Sequence, residues 1–293
     1  MTARPFIILT SQRSGSVYLQ KYLHSHPDVR CHGEILLGLG GPCEVRPPAF
    51  LNRYRRMRLT YAWVFSGAAL RPNHVIDRTW ADGQDAETDG QDAGAVGFRV
   101  MYNQLNRDSV VRHLCDRDDL RVVHLIRRNF VRQYVSRKQM HDRYRSLGTG
   151  SAHTDKPVRP TPVAIPPRRA VAEINALRES RRRLETNFAD AGRPLMKLVY
   201  EDLLSAGTVG ASDRREVCSF LGVDDAEMSS NLVKMNPAPL SELVSNYDAF
   251  ADAIRSAGWG EHLGESDDDA SAATTGLLRG ASATDPGTAG AVS

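Results

Sequence analysis

The residues best suited to chemistry near the N-terminus form a short loop, TSQRSGS, which follows the apolar run FIIL and precedes a predicted helix. A helix N-terminus presents unpaired backbone N–H groups and the positive end of the helix dipole, so small residues there let an anion approach. Ser14, Gly15 and Ser16 are small, and Arg13 adds a fixed positive charge. The loop is therefore predicted to bind an anion, most simply a phosphate. In the alternative interpretation, Ser14 only caps the helix.

The same loop departs from the pattern of ATP-hydrolysing P-loop proteins. The Walker A pattern, GxxxxGK[ST], requires a lysine before its final hydroxyl residue and an earlier glycine. Neither of them is present around Ser16. A kinase-like phosphotransferase is therefore disfavoured but stays open as an alternative.

A second cationic motif follows the apolar run from Leu120 to Ile126, which predicts a buried strand. Arg127 and Arg128 come directly after this run, and Ser136 lies eight positions beyond Arg128 on a predicted helix. Eight residues span slightly more than two helical turns, so both groups can address one ligand. A guanidinium beside a hydroxyl group predicts a second phosphate site, with Arg127 as the competitor for the role of Arg128. Two such sites suggest a nucleotide that is phosphorylated at both ends of its ribose.

The elements that must position these motifs are apolar runs alternating with helical patterns. Strands are predicted at residues 6–9, 28–32, 96–102, 120–126 and 195–200. Helices are predicted from the first loop to about residue 24, from about 129, over 168–188 and 214–221, and from 53 toward 65. This alternation predicts an α/β fold with a central parallel sheet flanked by helices on both faces. Both motifs follow strand ends, where the ligands of such sheets bind.

A single domain is predicted over residues 1–264 of the 293-residue chain. Mobile loops are expected at about 81–94, where DGQDA occurs twice, and at 142–167, which is rich in proline, glycine and serine. The first of these loops does not have its glycine and glutamate in the register of a calcium loop. The tail, residues 265–293, consists mainly of small and acidic residues that cannot pack a core, so it is predicted to be disordered.

Composition narrows the class of protein. Hydrophobic residues make up 41% and charged residues 25% of the chain, which is typical of a soluble globular protein. The four cysteines are scattered, so neither a zinc site nor a disulfide framework is predicted, and no other ligand cluster implies a metal. The sequence shows neither a signal peptide nor an apolar run long enough to span a membrane, so we expect a cytoplasmic protein. Few aromatic residues accompany the basic runs, which disfavours nucleic acid as a partner.

Taken together, the motifs resemble those of sulfotransferases that use 3′-phosphoadenosine 5′-phosphosulfate (PAPS). TSQRSGSVYL resembles their 5′-phosphosulfate loop, and RRNFVRQYVS resembles their 3′-phosphate motif. SHPDVRCHGE resembles the segment that carries a base glutamate in tyrosylprotein and many bacterial carbohydrate sulfotransferases. VGFRVMYNQL and NPAPLSELVSNYDAF resemble bacterial relatives of the nodulation-factor and glycolipid type. The resemblance covers most of the chain to about Phe250. One departure is Arg13, where many members have lysine, followed by Ser16 and Val17 instead of threonines.

The resemblance implies a P-loop-like nucleotide-binding sulfotransferase fold. PAPS would be the co-substrate, adenosine 3′,5′-bisphosphate the product, and no metal would be required. The acceptor would be a hydroxyl group of a small molecule, most simply a sugar or glycolipid, while a tyrosine or small phenol remains open. Residues 36–95 and 142–168 would wall the acceptor cleft. The sequence does not indicate an oligomeric state. A non-catalytic nucleotide-binding protein is the other alternative.

The resemblance also assigns roles to residues. Glu34 would be the general base that takes the proton of the acceptor hydroxyl. His32, two residues earlier, would point along the same side of an extended chain, so it could be the base instead or orient the acceptor. The alternatives are an ordinary surface glutamate and a structural histidine.

The remaining roles concern the donor. Arg13, with Ser14 and the N–H groups of Gly15, Ser16, Val17 and Tyr18, would hold the 5′-phosphosulfate and the charge that develops on its bridging oxygen. Arg128 and Ser136 would bind the 3′-phosphate, and Tyr200 would lie near the adenine or belong to the core. Arg99 would face the transferred sulfate or a solvated edge. Lys234 and Asn236 could close over the nucleotide.

Overall fold

Five parallel strands form the centre of the computed structural model, which describes residues 3–36, 71–81, 93–147, 161–203, 209–230 and 238–264, without the side chains of 144–147. The strands are β1 (Arg4–Thr10), β2 (Val29–Glu34), β3 (Ala95–Met101), β4 (Arg121–Ile126) and β5 (Leu195–Val199). They are arranged in the order β2-β3-β1-β4-β5, and all four neighbouring pairs are parallel. The predicted α/β fold with a central parallel sheet is confirmed.

The helices pack on both faces of this sheet. They are α1 (Ser16–His24), α2 (Pro72–Ala81), α3 (Asp108–Cys115), α4 (Phe130–Leu147), α5 (Pro167–Asp190), α6 (Tyr200–Leu203), α7 (Ala211–Leu221), α8 (Leu240–Leu243) and α9 (Tyr247–Ser256), with 3₁₀ helices at Tyr102–Leu105 and Gly260–Leu263. The predictions of α1, α4, α5 and α7 are confirmed. The sequence analysis missed α2, α3 and α9, which have only eight to ten residues each and therefore show few repeats of the helical period.

Each central strand is buried on both faces, which explains its continuous apolar sequence. In β1, Ile7 and Leu9 pack in the layer formed with α2, α3 and α5, whereas Phe6 and Ile8 pack against α1 and α7. A third cluster joins α4 and α5 to α8 and α9. The two layers on the sheet fix the strand ends, and therefore the loops that leave them.

Several predicted boundaries differ from the structure. The loop predicted at 142–167 is helical up to Leu147, because HDRYRSL contains neither glycine nor proline and α4 continues through it. At its other end, Val163 forms a parallel bridge with Val244. Strand β5 ends at Val199, so Tyr200 opens α6 instead of ending the strand. Most of the 81–94 loop, the helix predicted from 53 toward 65, the tail 265–293, and Lys234 with Asn236 lie outside the described residues.

Within the described part of the chain, none of the helices combines the length and the apolar character that crossing a membrane requires.

Candidate functional site

The loop between β1 and α1 is held by hydrogen bonds of its hydroxyl groups to the loop backbone, to β4 and to α4. Ser14 Oγ donates to the carbonyl of Ser11 at 2.8 Å, and Thr10 Oγ1 donates to the carbonyl of Leu125 on β4 at 2.8 Å. From α4, the Gln133 amide donates to Ser11 Oγ at 2.7 Å. The residue that caps α1 is Gly15, without any side-chain hydrogen bond, so the alternative that Ser14 caps the helix is wrong. Ser14 is fully buried and shapes the loop from within.

The start of α1 leaves backbone donors at the surface of this loop. The first intrahelical bond runs from the N–H of Leu19 to the carbonyl of Gly15 at 3.2 Å. The N–H groups before Leu19, those of Ser16, Val17 and Tyr18, precede any possible intrahelical acceptor. They point out of the helix end together with the positive end of its dipole. This is the arrangement predicted for binding an anion.

Gly15 is required by a close approach as well as by its backbone conformation. Its φ of 81° lies in the left-handed region, and a Cβ there would lie 2.3 Å from Cδ2 of Tyr200. The Tyr200 ring therefore lies directly over the loop, and the guanidinium of Arg127 stacks on the ring at 5.0 Å. Arg13 also has a left-handed φ, 65°, which is unusual for a residue with a side chain and typical of functional loops.

The two predicted anion sites form one cluster of positive charge. Arg13 Nε donates to Ser136 Oγ on α4 at 3.1 Å, and Arg127 Nη1 donates to the carbonyl of Arg13 at 3.3 Å. Burial, with the nearby positive charges of Arg127 and Arg143, lowers the pKa of Arg13 to about 10. The first loop thus meets the second, and Ser136 is hydrogen-bonded to Arg13 and not, as expected, paired with Arg128.

Arg128 is engaged by acids that the sequence analysis did not single out. The carboxylate of Glu201 accepts hydrogen bonds from the backbone N–H groups of Arg128 at 2.9 Å and Asn129 at 3.2 Å, and lies 3.6 Å from Arg127 Nε. Asp202 Oδ2 accepts from Arg128 Nη2 at 2.6 Å. Nε and Nη1 of Arg128 are buried and lack a hydrogen-bond partner among the described residues. These two acids lie two and three residues after the end of β5, which is the sequence signal that could have revealed them.

Glu34, the predicted base, ends β2 and is only 7% exposed. Its Oε1 lies 3.3 Å from Arg99 Nη2, and its Oε2 accepts a hydrogen bond from Gln104 Nε2 at 2.9 Å. The Gln104 amide is oriented in turn by the N–H of Met101, which donates to Oε1 of Gln104 at 2.9 Å. Gln104 lies in VGFRVMYNQL, and the sequence alone did not indicate a role for it. It is the neutral donor to the candidate base.

Arg99 connects this carboxylate to the anion loop. The Arg99 side chain is 1% exposed, and its Nη1 donates to Ser16 Oγ, the hydroxyl of the first residue of α1, at 3.3 Å. Glu34 and the N-terminus of α1 therefore share one guanidinium. The alternative in which Arg99 faces a solvated edge is wrong.

His32 does not lie beside Glu34. The register of β2 shifts between them, so that His32 pairs with Phe98 and Glu34 pairs with Arg99. Phe98 and Arg99 are consecutive residues of β3, so their side chains point to opposite faces of the sheet. The extra residue reverses the side on which Glu34 emerges, and the expectation of a shared side is wrong. Burial and the positive charges of His24 and Arg30 lower the pKa of His32 to about 4, so it is neutral at pH 7.

Among the described residues, His, Cys, Asp and Glu side chains do not gather in a group that could hold a metal ion.

Comparison with known proteins gives distant structural likenesses. No family model matches the chain, and no curated protein is significantly similar to it. A sulfotransferase from Alicyclobacillus acidocaldarius is similar with a TM-score of 0.45 and 16% identity, over 89% of this chain and 94% of that one.

Two further solved structures are similar to this chain. The sulfotransferase domain of the Synechococcus PCC 7002 olefin synthase has a TM-score of 0.39 and 15% identity, over 84% and 82% of the two chains. The sulfotransferase domain from the curacin biosynthetic pathway has a TM-score of 0.40 and 16% identity, over 76% and 75%. At such distances, the activities of these proteins do not transfer to this chain, whose function must follow from its own residues.

Proposed function

We propose that this chain is a PAPS-dependent sulfotransferase that moves a sulfuryl group to a hydroxyl of a carbohydrate or glycolipid acceptor. The observation that carries the proposal is that the two loops predicted to bind anions contact each other. Arg13 of the first loop donates to Ser136 of the second, and Arg127 of the second donates to the backbone of the first. A ligand with anionic groups at both ends of one nucleoside suits such a continuous cationic site.

The residues present fit the donor. The N–H groups at the start of α1, with Arg13, would hold its 5′-phosphosulfate. Arg128, whose buried Nε and Nη1 lack hydrogen-bond partners among the described residues, would bind the 3′-phosphate together with Ser136. Tyr200, which stacks with Arg127 over Gly15, offers an aromatic face for the adenine. When bound, the donor supplies the activated sulfuryl group.

The groups around Glu34 would perform the proton transfer. The Glu34 carboxylate would accept the proton of the acceptor hydroxyl, and positioned bases of this kind contribute about 10²–10⁴-fold to the rate. Arg99 would hold Glu34 beside the loop and present its charge where negative charge develops. The proposal requires no metal, because the arginines supply fixed positive charge at the site.

The proposed acceptor follows from two segments of the sequence. A sugar or glycolipid is proposed from the resemblance of VGFRVMYNQL and NPAPLSELVSNYDAF to bacterial sulfotransferases. Much of the segments expected to wall the cleft, 36–95 and 142–168, lies outside the described residues. A cytoplasmic location belongs to the same proposal.

The donor is tested by thermal unfolding with adenosine 3′,5′-bisphosphate, with ATP plus magnesium, and with AMP. A ligand at 100 times its Kd stabilises the folded state by about 2.7 kcal/mol, which raises the Tm visibly. We expect the bisphosphate to stabilise most. Stabilisation by ATP with magnesium instead would contradict the proposal and favour the kinase-like alternative.

The role of Glu34 is tested by Glu34→Gln. Turnover is expected to fall by about 10²–10⁴-fold while the Kd of the bisphosphate is unchanged. Glu179→Gln, at an exposed position of α5, is the control for loss of one carboxylate.

One observation favours a non-catalytic nucleotide-binding protein: both oxygens of Glu34 are already engaged, one by Arg99 and one by Gln104. In that case, Glu34 would serve as a structural ion-pair partner. The protein would then bind the bisphosphate without turning over any acceptor tested, and Glu34→Gln would affect the free energy of unfolding alone.

A further inference from the structure

Two adjacent acids, Glu201 and Asp202, contact the arginine turn after β4 in different ways. Glu201 is buried and accepts from backbone N–H groups, so it fixes the turn. Asp202 has a side chain that is 55% exposed, and it contacts the Arg128 guanidinium itself at 2.6 Å. Glu201 therefore has a structural contact, whereas Asp202 occupies a donor group that a ligand could use.

The position of Asp202 on the guanidinium competes with the strongest mode of anion binding. An arginine binds phosphate best through two parallel N–H groups on one edge. Because Nη1 lies on the side of Cδ, the two usable edges are Nε with Nη2 and Nη1 with Nη2. Nη2 contributes one N–H group to each edge, so its hydrogen bond to Asp202 occupies one edge and places a carboxylate charge beside the other. The other two nitrogens, Nε and Nη1, are buried and without hydrogen-bond partners among the described residues.

We propose that Asp202 competes with an incoming 3′-phosphate for Arg128. The phosphate must displace Asp202 from the guanidinium, and this displacement limits the affinity for the nucleotide. The proposal rests on the proposed donor site. Displacement is feasible because Asp202 is more than half exposed, so water can solvate its carboxylate once it is released. Ion pairs at such exposure contribute little to stability. A nucleotide with a free 3′-hydroxyl does not need the Nη2 edge and leaves the pair in place.

The test measures the Kd of adenosine 3′,5′-bisphosphate and of AMP by calorimetry for the wild type, Asp202→Asn and Arg128→Ala. Asp202→Asn keeps the shape of the side chain and removes its charge. We expect it to bind the bisphosphate about two- to fivefold more tightly, the equivalent of losing an exposed ion pair, and AMP as the wild type does. Asp252→Asn is the matched control, since Asp252 forms an exposed ion pair with Arg255 on α9 and its loss changes the net charge equally.

The outcomes separate this inference from the proposed function. Suppose first that the wild type binds the bisphosphate through Arg128. Weaker or unchanged binding by Asp202→Asn then overturns the inference but does not contradict the donor site. Equal tightening of AMP, or equal tightening in Asp252→Asn, also overturns it, because the effect would then be one of general charge. Bisphosphate binding that is absent, or that Arg128→Ala does not weaken, overturns the donor site and the inference together.

Discussion

The contact between Gly15 and Tyr200 allows a quantitative test of how the anion loop is built. Gly15→Ala carries two separate costs. Placing a side chain at a φ of 81° costs about 1–2 kcal/mol. The new Cβ would also lie 2.3 Å from Cδ2 and 2.5 Å from Cε2 of Tyr200, so the ring must move. Overpacking of this kind costs about 1–3 kcal/mol, which gives a loss of unfolding free energy of about 2–5 kcal/mol in all.

The chain supplies a matched control for the first cost. Gly192 has a φ of 67°, and a Cβ there would meet no atom within 4 Å. Gly192→Ala should therefore lose only the conformational part, about 1–2 kcal/mol. In the background of Tyr200→Ala, Gly15→Ala should become as mild as Gly192→Ala. A double-mutant cycle is thus expected to give a coupling of about 1–3 kcal/mol between Gly15 and Tyr200.

Urea unfolding of the four proteins of the cycle, with Gly192→Ala beside them, measures these differences. An equal loss in Gly15→Ala and Gly192→Ala would refute the close approach of the ring. So would a loss in Gly15→Ala that Tyr200→Ala does not reduce. A changed m value in any variant would show that the surface exposed on unfolding had changed, and that variant would have to leave the cycle.

Two further predictions concern Gln104, which contacts the candidate base, and Glu185 on α5. Gln104→Leu removes the hydrogen bond that orients the Glu34 carboxylate, so kcat should fall by about tenfold to 10²-fold through misplacement of the base, while the Kd of the bisphosphate holds. Equal losses in both would indicate a general disturbance of the fold. Burial raises the pKa of Glu185, but the nearby His124, Arg181 and Lys197 together act more strongly in the other direction and lower it from 4.5 to about 2. The stabilisation from Glu185 is complete above pH 4.5 and is lost as the pH falls toward 2. Glu185→Gln should therefore be less stable than the wild type at pH 7, and its stability should change less with pH in this range. A parallel pH dependence of the unfolding free energy in the wild type and the variant would contradict this.

The parts of the fold that follow from the sequence are those in which one local pattern had a single structural solution. The apolar run FIIL, flanked by a polar loop, could only be a buried strand of a parallel sheet, and β1 is completely buried from Phe6 to Leu9. The helix before Gly222 ends where a left-handed residue is needed, and that glycine has a φ of 71°. The short helices α2 and α3 gave too few periods to be recognised, although their apolar residues complete the core over β1 and β3.

The sequence predicted the arginines of the site but not the groups that they contact. Arg13, Arg127 and Arg128 stood out because each follows an apolar strand. Arg13 is the arginine that contacts Ser136, and it does so from a backbone with a left-handed φ. The spacing between Arg128 and Ser136 along the chain does not reveal this backbone conformation in another loop. Glu201 and Asp202 are neighbours with the same charge, yet one is buried against backbone amides and the other meets a guanidinium near the surface. Both lie in α6, where consecutive side chains point about 100° apart and so meet different surroundings.

The bulge in β2 shows why alternation along a strand can mislead at a site. Counting by twos from His32 places Glu34 on the same face, and the count is correct for a regular strand. The register shift inserts one residue, so Glu34 meets Arg99 on the face where α1 begins, while His32 stays opposite Phe98. Without this shift, the Glu34 carboxylate would point away from Arg99 and from Ser16, to which Arg99 is hydrogen-bonded. The irregularity that defeats the sequence pattern is therefore what brings the candidate base to the anion site.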